Sequence, residues 1–116
     1  DLYISNSDGK VGIGTTAPNS TLHTNGSFAT ALVNKTANYT ATENDRIINC
    51  TANSFTVTLP TASGITGREY IVKNSGTGII TIDANGSETI DGDLTQELIE
   101  AEVMTLVSTG TNWIII

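Results

Sequence analysis

The chain has 116 residues, of which 15% are charged; 5 basic side chains face 12 acidic ones, for a formal net charge of −7. No lysine or arginine follows Lys73, whereas Asp83, Glu88, Asp91, Asp93, Glu97, Glu100 and Glu102 all do. Nucleic-acid binding needs basic side chains that displace counterions from phosphates, so that partner class is excluded, and anionic membrane surfaces are disfavoured on the same ground.

The length suits one compact domain, or a small domain with a piece of stalk. The sequence begins at Asp1 and carries no long apolar run. It reads as a piece of a longer protein, with no signal peptide and no membrane insertion expected. Thr, Ser and Asn make up about a third of the residues, a composition suited to β-structure with threonine outer faces and Gly or Asn turns. A rigid extracellular β-protein is expected. The single cysteine, Cys50, is read as a small buried apolar residue rather than a disulfide partner.

In chain order, "LYI" at 2–4 leads into "NSDGK", where Asp8-Gly9 is a hairpin signal, and "KVGIG" at 10–14 is the return strand. "STLHT" at 20–24 precedes a second turn at Asn25-Gly26, and "SFATALV" at 27–33 is a further candidate strand. The polar stretch 34–38 has no pattern and marks a boundary. Two units follow: a stalk or neck β-hairpin segment at 1–36 and a β-sandwich tip domain at 37–116.

The second unit offers seven candidate strands, at 46–50, 54–59, 68–74, 79–83, 87–91, 102–108 and 112–116. Many short strands at regular spacing predict an all-β sandwich or barrel-like fold. In "FTVTL", Phe55, Val57 and Leu59 share one face and Thr56 and Thr58 the other. The only helical periodicity lies at 94–104; strand is favoured there, with a short helix at 94–101 as the alternative. "NWIII" at the C-terminus would aggregate as a bare edge and must be covered, by this chain or by another copy. The first 33 residues hold too few large apolar side chains to offset their own ordering, so they too need packing from elsewhere.

Catalytic chemistry finds no foothold. "VGIGTTAP" lacks the third glycine and the following helix of a dinucleotide loop, and the Gly-Lys-Ser/Thr of a Walker loop, so its glycines are read as allowing close backbone approach or strand bending. His23 is the only histidine and has no ligand or triad partner nearby in sequence; a threefold assembly could gather three copies of it on an axis. The carboxylates of "DANGSETIDGD" at 83–93 fail the EF-hand spacing, and turn chemistry at Asn85-Gly86 and Asp91-Gly92 accounts for them. Trp113 is read as core or interface packing. No cofactor, no metal and no catalytic residue is assigned. The loops 60–68, 74–78 and 109–112, with Tyr39, are the places to look for recognition, but no ligand-binding residue is fixed.

One resemblance covers nearly the whole chain. "VGIGTTAPNSTLHTNGSF" at 11–28 resembles the "VGIGTTxPxxxLHVNG" segments of bacteriophage tail fibres and related bacterial fibre adhesins, with Thr24 in place of the usual Val. "YTATENDRIINCTANSFTVTLPTASGITGREYIVKNSGTGIITIDANGSETIDG" at 39–92, followed by "VMTLVSTGTNWIII" at 103–116, resembles a second module of such fibres. The resemblance implies an intertwined homotrimeric fibre tip on a phage tail or a bacterial surface. It implies adhesion or receptor recognition of a cell-surface glycan or envelope component, and no enzyme. A purely structural trimerisation or shaft-capping domain is the alternative.

Overall fold

The computed structural model describes residues 2–4 and 8–116. It is all-β, with no helix among the described residues. Residues 1 and 5–7, including part of the expected "NSDGK" turn, lie outside the described residues.

Three short strands form the first sheet: β1 (Leu2–Ile4), β2 (Val11–Ile13) and β3 (Leu22–Thr24). β1 and β2 pair antiparallel, as a hairpin requires. β2 and β3 pair parallel, with Gly12 opposite His23. The glycines of this segment have steric causes. A Cβ on Gly12 would collide with the Thr15 carbonyl oxygen. Gly14 has φ +75°, and a Cβ there would sit 2.9 Å from the Asn25 carbonyl. Close approach of two backbones is thus what this stretch needs from glycine.

The rest of the chain builds two sheets by turns. β4 (Leu32–Lys35), β6 (Ile47–Cys50) and β8 (Glu69–Asn74) stack in parallel in one sheet; β5 (Tyr39–Thr40), β7 (Thr56–Thr58) and β9 (Ile80–Asp83) stack in parallel in the other. Consecutive strands therefore occupy opposite sheets, and each pair adds one rung. The chain then reverses. β10 (Thr95–Leu98) joins β9 antiparallel, and β11 (Val103–Ser108) and β12 (Trp113–Ile115) extend the larger sheet antiparallel. The orders are β10-β9-β7-β5 and β12-β11-β8-β6-β4.

The two sheets share one core. Ile48, Val72, Tyr70, Leu106 and Trp113 point inward from the larger sheet, Val57, Ile80, Ile82 and Leu98 from the smaller. Phe55, Val57 and Leu59 are buried and Thr56 and Thr58 are half-buried, as the alternation in "FTVTL" dictates. Cys50 is buried and unpaired. Burying such side chains is worth roughly 1.5–3 kcal/mol each. Tyr70 and Trp113 meet at 5.7 Å between ring centroids, tilted by 50°.

Three details differ from the sequence expectations. First, the sheets do not close into a barrel: each keeps two end strands, because neighbours in sequence go to opposite sheets instead of pairing. Second, the strand expected at 27–33 begins only at Leu32 and runs to Lys35, and β4 is hydrogen-bonded into the larger sheet. Third, 87–91 is not a strand. Only Ile90 makes bridges there, to Asp93 and Trp113, and Glu88 is drawn aside to accept from the Thr61 hydroxyl at 2.7 Å and from the Ala62 amide. At 94–104 the favoured strand reading holds, and the alternative short helix at 94–101 is not formed. Thr95–Leu98 is strand, and Ala101 at φ 70° turns the chain toward β11.

Candidate binding surfaces

Strand register assigns every outward side chain of the two sheets to a row. On the larger sheet one row reads Leu32, Ile47, Ile71 and Thr105, and the Ile116 amide bonds to the Thr105 carbonyl beside it. The next row carries Glu69, Val107 and Ile114. Leu32 is 58%, Ile114 41% and Ile116 69% exposed. Val103, 56% exposed, continues the apolar surface in the third row, which ends in Lys73, Asn49 and Asn34. Of the charges here, one pair is matched and one lysine is held by a carbonyl. Arg46 holds Glu69 at 2.6 Å, and the Lys73 ammonium donates to the Ala101 carbonyl. The result is an apolar sheet face open to solvent.

The smaller sheet presents the opposite chemistry. One outward row reads Thr40, Thr58, Asp83 and Thr95; the other reads Thr56, Thr81 and Glu97. Among the described residues, none of these seven side chains makes a hydrogen bond or ion pair within the chain. A groove of about 290 Å³ crosses this face, lined by Ser54, Phe55, Thr56, Ile79, Thr81 and Glu97.

The loops singled out by sequence gather at separate places. Loops 60–68 and 109–112 meet at the end of β11: the Gly67 amide donates to the Ser108 carbonyl at 2.8 Å, the Ser108 hydroxyl to the Ala62 carbonyl at 2.8 Å, and Gly110 lies so near Thr66 that a Cβ there would come 2.5 Å from its hydroxyl oxygen. Loop 74–78 instead packs on residues 52–54, where Asn53 Oδ1 accepts from the Thr77 amide, the Thr77 hydroxyl and the Gly78 amide. Their polar groups are largely spent on local bonds, which is what shapes short loops without regular structure.

Tyr39 is also committed. Its hydroxyl donates to Asp45 Oδ2 at 2.6 Å, and Lys35 Nζ lies 3.9 Å from its ring centroid. The bond to Asp45 pushes the Tyr39 phenol above its usual range, with burial adding to the shift. Lys35 aligns with Cys50 and Asn74 along the inward row, but it occupies the end rung, so its ammonium swings over Tyr39. Together Lys35, Tyr39 and Asp45 close the open end of the stack, a charged edge of the kind that discourages further strand pairing.

His23 stands half-buried on β3, where Nδ1 accepts from the Asn19 amide at 3.4 Å. Asp91 and Gly92 form the turn between the bridged Ile90 and Asp93, and Asp91 takes φ 50° there. Among the described residues, no three His, Cys, Asp or Glu side chains come together as a metal-binding group. Trp113 is 1% exposed, in the core. Sequence reading missed the threonine–carboxylate face, although "FTVTL" and "ITID" each contain half of it; what was missing was the parallel register that sets them side by side. Comparison with protein-family models, with curated proteins and with solved structures found no match to this chain.

Proposed function

We propose that the chain is the adhesive tip module of a homotrimeric extracellular fibre, of a phage tail or a bacterial surface, that recognises a cell-surface glycan and catalyses no reaction. The observation that carries this reading is the apolar face of the five-stranded sheet, where Leu32, Val103, Ile114 and Ile116 are exposed and Ile47, Ile71 and Val107 between them are half-buried. An apolar sheet face of this kind marks an assembly surface. A second copy of the chain is the occupant that fits: the outward rows of this face carry one carboxylate, Glu69, which Arg46 pairs, and one further lysine, Lys73, so the acidic side chains behind the net charge of −7 are not brought together there. The resemblance of 11–28 and of 39–92 with 103–116 to fibre segments supports the threefold arrangement.

The purely structural alternative, a trimerisation or shaft-capping domain with no ligand, draws support from the loops at 60–68, 74–78 and 109–112, whose polar groups are mostly engaged locally. The test has two arms. Mass photometry of the wild type should give a trimer, and Ile71→Lys with Val107→Lys should give a folded monomer by circular dichroism; a wild type that is a stable folded monomer overturns the fibre reading. A glycan array then separates the alternatives: reproducible hits support recognition, and their absence from the trimer supports the structural role.

A further inference from the structure

The geometry points to the groove between Ile79 and Glu97, on the outer face of the four-stranded sheet, as the subsite for one uncharged sugar ring of a surface glycan. The inference rests on the glycan-recognition reading above and adds to it a place and a ligand class.

Four properties of the groove select that ligand. Its volume of about 290 Å³ is near the lower end of small-molecule sites and suits a single sugar ring. Its polar wall offers Ser54, Thr56, Thr81 and Glu97. The Thr56 and Thr81 hydroxyls both donate and accept, and the Glu97 carboxylate accepts only, which matches the adjacent hydroxyls of a polyol. The Thr56, Thr81 and Glu97 side chains have no partner within the chain among the described residues, so a ligand gains their bonds without breaking internal ones. Such bonds replace ones to water, and those to the charged Glu97 acceptor are the stronger ones. Its apolar side is Ile79, 45% exposed, against which the C–H face of a sugar packs.

Charge narrows the class further. Glu97 and Asp83 lie on this face, and no lysine or arginine does. An anionic sugar, sialylated or phosphorylated, would be repelled and would find no cation to pair with. The neighbouring Thr58, Asp83 and Thr95 extend the same pattern along the sheet, so a linear neutral oligosaccharide has room to continue. The site sits opposite the apolar assembly face, so a trimer formed through that face leaves the groove open.

The experiment uses the full chain in its native assembly. Neutral mannose, glucose, galactose and N-acetylglucosamine oligosaccharides are titrated by NMR, with threonine methyl labelling, beside sialylated and phosphorylated glycans. The expected result is saturable perturbation of the Thr56 and Thr81 methyls by a neutral oligosaccharide and none by the anionic ones. Thr81→Val and Glu97→Gln, both surface changes that keep volume, should each weaken the dissociation constant at least tenfold while circular dichroism stays unchanged. Binding that survives both substitutions, or that perturbs loops 60–68 and 109–112 instead, overturns the groove and leaves glycan recognition standing. Preference for anionic glycans overturns the ligand class. No binding to any glycan by the wild type overturns both readings together.

Discussion

The buried amide of Asn74, on β8, donates to the carbonyl of Leu98, on β10, at 2.9 Å, and so ties the two sheets together through the core. The same nitrogen donates to the Gly78 carbonyl at 2.7 Å, and the Asn74 side-chain oxygen accepts from the Gly76 amide at 3.0 Å. One fully buried side chain thus satisfies two carbonyls and an amide of the β8–β9 loop and of β10. Replacing it by leucine, close in volume, would strand all three. Asn74→Leu should cost about 2–4 kcal/mol, read as a lower urea midpoint with an unchanged slope.

Burial pushes the Cys50 thiol up to about 11 from 9.0. Below about pH 9 the thiol is protonated whether folded or not, and its contribution to stability is fully present. Above that, the unfolded chain ionises while the folded chain keeps its proton, so stability falls as pH rises through the window from 9.0 to about 11. The raised Tyr39 phenol acts in the same direction above pH 10.0. Denaturation midpoints at pH 8 and pH 10.5 should therefore differ, and Cys50→Ala should reduce the difference by an amount of order 1–2 kcal/mol. In the native protein at pH 8 a thiol reagent should label Cys50 only as fast as the protein opens.

Ala101 holds φ 70° in the turn between β10 and β11, a conformation that costs an L-residue about 1–2 kcal/mol. Its side chain is exposed, so nothing is lost by removing it. Ala101→Gly relieves the strain and pays a smaller penalty in the unfolded chain. The expected net effect is neutral to about 1 kcal/mol stabilising in chemical denaturation. Ala31→Gly, also exposed but with ordinary backbone, is the control and should be mildly destabilising.

At Gly12 the backbone of Thr15 occupies the place a Cβ would take. Gly12→Ala should therefore open the β2–β3 pairing. Among the described residues, no hydrogen bond joins the three-stranded sheet to the two larger ones, so the damage should stay local. Hydrogen exchange is expected to accelerate at Val11 and Asn25, whose amides bond to Thr21 and Ile13, while Ile48, Val72 and Ile82 keep their protection.

How far the sequence spoke depended on how local each feature is. "FTVTL" declared its buried face because alternation is a property of adjacent residues. Trp113 and Cys50 declared burial by residue type. The turn at Asp91-Gly92 followed from side-chain and backbone preference alone. Pairing partners did not follow, because β4, β6 and β8 meet across long stretches of chain that carry no mark of their register. For that reason Thr56 could be read as outward-facing, while its neighbours Thr81 and Glu97, and with them the groove, stayed hidden. The segment 87–91 looked like a strand by composition and failed because its backbone amides go to local turns and a side chain instead of a ladder: Glu88 donates to the Asn85 carbonyl, Ile90 to the Asp93 carbonyl and Thr89 to Asn112 Oδ1.

The two ends of the rung stack are not equivalent. At one end, β10, β11 and β12 run against the parallel direction; at the other, the edge strands β4 and β5 keep it, with Lys35 and Tyr39 capping the core between them. A chain of this design has a polarity of growth. A duplicated rung inserted ahead of Leu32 would continue the parallel register once Lys35 and Tyr39 gave up their capping contact, whereas the same insertion after Asp83 would have to part β9 from the antiparallel β10. Lengthening is therefore simplest at the N-terminal side, with Lys35 as the residue that must turn apolar and inward once it is no longer last in line.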